Sequence, residues 1–135
     1  MFRRNSIRQK GATVVELALS FTVFLLLLVG LMEMGRMVWA YTTIAHATRE
    51  AARYAMAHGS LNPATRDQIL NVVVSNAVGL DADQFKVKTT WDPSNERGNI
   101  VEVETRYHFA LVTSPLILPQ DKIWLSATSR MVIAN

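Results

Sequence analysis

Between Glu16 and Glu33 the chain runs through sixteen consecutive residues, Leu17 to Met32, without a charge. Counting from Ala12, Glu16 is the single charged side chain before Glu33. A helix over 12–32 would rise about 1.5 Å per residue and reach roughly 30 Å, the hydrocarbon thickness of a bilayer. Lipid offers no partners to a backbone, so a segment like this has one economical fold, a membrane-spanning helix. The acid at its start is expensive there, because a carboxylate entering lipid must find a partner or draw in water. Upstream, Arg3, Arg4, Arg8 and Lys10 precede Gly11 with no acid among them. That asymmetry predicts a cytoplasmic N-terminus and a C-terminal part on the far side of the membrane. Glu33, Gly35 and Arg36 then mark the outer membrane boundary.

The overall charge of +3 and pI near 9.6 invite a nucleic-acid reading. It fails because the excess sits in the leader: without those four bases, ten bases face eleven acids. The chain has no cysteine, which excludes disulfides, iron–sulfur clusters and thiolate zinc sites. A module outside the cytoplasm must then hold itself together by packing alone.

The pattern divides the chain into a basic leader (1–11), a transmembrane helix (12–35), an amphipathic helical extension (36–59) and a small extracytoplasmic α+β module (60–135). From Arg36 to Ala57 there is no proline and alanine is abundant. Met37, Tyr41, Ile44, Ala45, Ala51 and Ala55 share one expected face, with Thr43, His46, Glu50 and Arg53 opposite. His58-Gly59-Ser60 is the expected stop. Asn62-Pro63 reads as a cap and first-turn proline for a second helix, with Ile69, Leu70, Val73 and Ala77 on its apolar face and Gly79 at its end.

Strands follow. Phe85, Val87, Thr89 and Trp91 alternate with Lys86, Lys88 and Thr90. After a turn-forming stretch at 92–99, Val101, Val103, Thr105, Tyr107 and Phe109 alternate with Glu102, Glu104, Arg106 and His108. Folded as a hairpin, Lys86 and Lys88 would face Glu102 and Glu104 in opposite-charge cross-strand pairs. Pro115 and Pro119 break the chain, and Ile123–Ile133 reads as a third strand. The expected fold is therefore α+β: a long N-terminal transmembrane helix extended by an amphipathic one, then a small helix and a three-stranded antiparallel sheet.

No catalytic, cofactor-binding or metal-binding constellation is legible. His46, His58 and His108 have no ligand spacing and read as solvated. The expected partners therefore include no nucleic acid and no small-molecule substrate. Gly11 and Glu16 support a sharper reading. A peptidase at the membrane surface needs a small residue at a polar-to-apolar border, which is where Gly11 sits. Cleavage between Gly11 and Ala12 would leave Glu16 as the fifth residue, able to neutralise a terminal ammonium on its own or a neighbouring chain, in a first turn whose dipole favours an acid. Arg49, Glu50 and Arg53 are spaced to pair within the helix or to meet neighbouring subunits, with Tyr54 beside them.

Three blocks, Gly11-Ala12-Thr13-Val14-Val15-Glu16, Glu33-Met34-Gly35-Arg36 and Ala47-Thr48-Arg49-Glu50-Ala51-Ala52-Arg53-Tyr54-Ala55, together resemble the TadE-like pseudopilins, minor pilins of bacterial tight-adherence (Tad, or Flp) pilus systems. The resemblance covers roughly residues 8–57. It implies processing by a prepilin peptidase between Gly11 and Ala12, with Glu16 as the acid of processing or assembly. It also implies a non-enzymatic role in pilus assembly, adhesion and biofilm formation. The implied partners are that peptidase, other pilins and pseudopilins, and the inner-membrane assembly machinery. The implied location is the bacterial inner membrane, as a single-pass protein that can enter the pilus. Leu17 stands where major Flp pilins typically carry tyrosine, which argues against a major pilin, and Ala51 stands where a glycine is frequent.

Other readings compete. A permanently anchored bitopic protein, whose outer module binds a partner, would keep its leader. An ordinary secreted protein could be cut after Val38-Trp39-Ala40, but Glu33 and Arg36 intervene and the cut would sever a continuous helical pattern.

Overall fold

A computed structural model describes residues 6–59, 62–112 and 122–134. Arg3, Arg4, Ser60, Pro115 and Pro119 lie outside the described residues, and of Arg8 and Lys10 only the helical backbone is described. The elements run α1 (Ser6–Ala57), α2 (Arg66–Asn76), a 3₁₀ turn (Ala82–Gln84), β1 (Phe85–Asp92), β2 (Ile100–Ala110) and β3 (Lys122–Val132). The expected α+β architecture is present: a long apolar N-terminal helix, a short second helix and a three-stranded antiparallel sheet. By its contacts the chain divides after Arg36 into two units, considered separately below.

The first unit is helical from Ser6, not from Ala12, so the Gly11–Ala12 bond lies inside α1. Nothing between Gly11 and Lys10 breaks the backbone pattern, because one glycine in a helix costs only about 1 kcal/mol against alanine. From Gly11 to Met32 every residue is exposed.

The second unit packs residues 37–57 of α1 and α2 into one core with the sheet. Ala40, Ile44, Ala47, Thr48, Ala51, Ala52 and Ala55 are buried, a stripe with the three- and four-residue spacing of a helix face. Small side chains on that face let the helix backbone approach its neighbours closely. The expected face is thus corrected at Tyr41, which is exposed. It lies about 100° around the helix from Ala40, where its hydroxyl keeps access to water.

The sheet order is β1-β2-β3, antiparallel throughout. The central strand β2 alternates as expected, with Val101, Val103, Thr105, Tyr107 and Phe109 buried. Its register corrects the expected charge pairing: Lys88 lies opposite Glu104, but Lys86 lies opposite Arg106 and Glu102 opposite Thr90. Glu102 instead pairs with Arg130 of β3. A two-residue slip would leave every side chain on its face, so alternation alone could not choose the register.

The start of α2 is also corrected. Its N-cap is Thr65, not Asn62. The Gln68 N–H donates to Thr65 Oγ1 at 3.4 Å and the Thr65 N–H donates to Gln68 Oε1 at 2.9 Å, a reciprocal capping box. Gly79 does follow the helix, with φ +82°.

Two contacts fix opposite ends of the helical layer in this second unit. The Trp39 ring lies against Gly79. Seventeen residues later the Met56 carbonyl accepts from the Ala134 N–H at 3.3 Å, just past β3.

Candidate functional site

Gly11, Ala12 and Glu16 stand on consecutive exposed turns of α1. In an α-helix the Gly11 carbonyl accepts from the amide four residues on, so attack on this bond requires local unwinding. Glycine eases that step, since it holds helical geometry less firmly than any other residue except proline. Among the described residues Glu16 makes no ion pair.

The apolar stretch satisfies its own polar groups. Thr22 donates its hydroxyl to the Ala18 carbonyl at 2.8 Å, the back-bond a hydroxyl makes when its surroundings offer no water. A Cβ built on Gly30 or Gly35 would meet no atom within 4 Å among the described residues, so packing against those residues demands neither glycine. At the boundary Glu33 is only 8% exposed, and Arg36 donates to its Oε2 at 2.9 Å. The structure therefore joins two of the three predicted boundary residues as an i, i+3 ion pair.

In the second unit, the predicted pairing of Glu50 with Arg53 is present at 3.4 Å, also i, i+3. Arg49 and Arg53 are exposed while Glu50 and Tyr54 are half-buried. The Tyr54 ring stacks on His58 with centroids 4.1 Å apart, and His58 Nδ1 lies 2.8 Å from the Tyr54 carbonyl oxygen. These residues form an ordered helical surface with two guanidinium groups facing outward.

Sequence reasoning missed two clusters. On the outer face of the sheet, His108 is half-buried rather than solvated: its Nδ1 lies 2.7 Å from Gln84 Oε1, and its ring sits 5.2 Å from that of Trp124. Lys86 Nζ stands 5.1 Å from the Trp124 ring centre, a cation–π contact. The second cluster is Trp39 with Gly79, supported by a hydrogen bond from the Asp81 N–H to the Tyr107 hydroxyl at 3.4 Å. The positive φ of Gly79 was foreshadowed by glycine just past a helical pattern, but nothing in the sequence tied it to Trp39.

An N-terminal helix long and apolar enough to span a membrane, uncovered by the described residues, is followed by a small α+β unit, consistent with a single-pass membrane protein. Residues 11–53 match the family model described as TadE-like protein, so the chain carries a TadE-like segment. The match opens on Gly11 and closes on Arg53, enclosing the first two motif blocks and most of the third. No curated protein and no solved structure matches the chain significantly.

Proposed function

We propose that this protein is a structural, non-enzymatic pseudopilin, a minor subunit of a Tad (Flp) pilus system. A prepilin peptidase cuts it between Gly11 and Ala12 on the cytoplasmic side. Before assembly α1 holds the subunit in the inner membrane, with the α+β module outside. Glu16 then becomes the fifth residue of the mature chain and neutralises a terminal ammonium, so that the helix leaves lipid for a filament or an initiating complex. Other pilins, pseudopilins and the inner-membrane assembly machinery are the partners, and pilus-dependent adhesion and biofilm formation the outcome. Glu50, Arg53, Arg49 and Tyr54 supply polar contacts to neighbouring subunits.

The observation that carries the reading is the TadE-like match over 11–53, which starts at the candidate scissile glycine. The uncovered apolar surface of α1 supports it, as do the open positions at Gly30 and Gly35, where neighbouring helices can approach closely. The test is Glu16→Ala in the native host: pili should fail to assemble although the protein is still made. Normal processing together with normal piliation would remove the role given to Glu16.

One observation favours a second reading. The helix continues unbroken from Ser6 through the Gly11–Ala12 bond, as expected of a permanent bitopic anchor whose outer module binds a partner. That reading requires an intact leader.

A further inference from the structure

The outer face of the sheet sets like charges side by side. Lys86 of β1 lies directly opposite Arg106 of β2, an arrangement that costs stability unless an opposite charge stands near. Two adjoining depressions share these residues as a wall. One, of about 300 Å³, is completed by Trp124 and Ser126. The other, of about 310 Å³, adds Arg66, Lys88 and Glu104. Four cations thus stand around one acid, although residues 12–135 as a whole hold ten bases and eleven acids. Arg106 donates from its Nε to Glu104 at 2.7 Å, a bond that leaves the terminal N–H groups of the guanidinium for a further acceptor. Trp124 is 50% exposed, and its ring is steadied by His108, which is itself held by Gln84.

We infer that this face binds an acidic polysaccharide, one whose sugars carry carboxylate or sulfate groups. Lys86 and Arg106 take the anionic group in charge-assisted hydrogen bonds. The exposed part of the Trp124 ring packs against the C–H face of the sugar. Ser126 and Glu104 bond its hydroxyls, Glu104 as an acceptor. The same residues disfavour a nucleic acid. Of the side chains lining the two depressions only Trp124 is aromatic, whereas proteins that bind single strands stack successive bases on several rings. Glu104 also repels a closely spaced row of phosphates. The inference goes beyond the pilin-like reading and requires neither cleavage at Gly11 nor entry into a filament.

The test uses the full chain in detergent micelles, with the indole N–H signals followed by NMR. Hexagalacturonate, its methyl ester, a sulfated hexasaccharide and single-stranded hexathymidylate are added in turn. At least one of the two acidic sugars should shift Trp124 and leave Trp39 in place, while the ester and the hexathymidylate bind more weakly. Lys86→Gln and Arg106→Gln, made separately, should each weaken that binding about tenfold with Trp39 unmoved, the loss expected for one charge-assisted bond. No shift of Trp124 with either acidic sugar overturns the inference, as do equal shifts of Trp39 and Trp124. Equal binding of the ester removes the role of charge and overturns it too. Equal or tighter binding of hexathymidylate makes the surface a general polyanion or nucleic-acid site instead. Unchanged affinity in both variants places the sugar elsewhere and also overturns it.

Discussion

A Cβ built on Gly79 would lie 2.9 Å from Trp39 Cη2, so the ring must move to admit a side chain there, and Gly79 also holds φ at +82°. The two conditions are independent, since one concerns the backbone and the other a neighbour 40 positions away. Gly79→Ala should therefore destabilise the second unit by about 1–3 kcal/mol. Phenylalanine at position 39 has no Cη2, so Trp39→Phe should relieve the contact and leave the backbone term. A double-mutant cycle by chemical unfolding in detergent would show coupling between the sites. Strict additivity would mean that the ring does not press on the turn.

The alanine stripe of α1 sets a second expectation. Ala51 is fully buried and Ala57 is exposed, although both belong to the same helix. Ala51→Leu should cost about 1–3 kcal/mol through overpacking, whereas Ala57→Leu should stay within about 0.5 kcal/mol of the parent. Equal effects in the unfolding midpoint would contradict the close approach inferred for this face.

Thr105 is 0% exposed at the middle of β2, and among the described residues its hydroxyl has no hydrogen-bond partner. Valine has nearly the same shape and no polar atom to desolvate. Thr105→Val should thus be neutral or stabilise the unit by about 1 kcal/mol, measured as a rise in Tm. A clear loss would mean that the hydroxyl is bonded in solution.

The capping box at Thr65 and Gln68 gives a local readout. Thr65→Ala should weaken α2 by about 1 kcal/mol and speed hydrogen exchange in its first turn. Pro63→Ala should leave those amides unchanged, since Pro63 stands outside the helix.

The legible parts of this fold were those written as short-range periodicity. The alternation of β2 is displayed residue by residue, and both ends of β3 were readable to within a residue. The face of residues 37–57 is less legible because alanine carries little hydrophobic signal, so the pattern does not mark Ala40 and Ala47, whereas the ring of Tyr41 gives it an apolar weight that its exposed position does not match. Asn62-Pro63 imitated a helix start that Thr65 supplies through its partner Gln68. Register was not legible, because Lys86 and Lys88 would satisfy an acidic strand equally well two residues along. The three motif blocks were readable locally, while the Trp39–Gly79 contact joins positions that no periodicity connects.

The central claim is most directly tested by the intact mass and N-terminal sequence of the membrane-extracted protein, from hosts with and without prepilin peptidase. The account predicts a mature chain that begins at Ala12 when the peptidase is present, and a chain that still carries the residues before Ala12 when it is absent. A chain that keeps its leader in both hosts would contradict the account and establish the permanent anchor in its place.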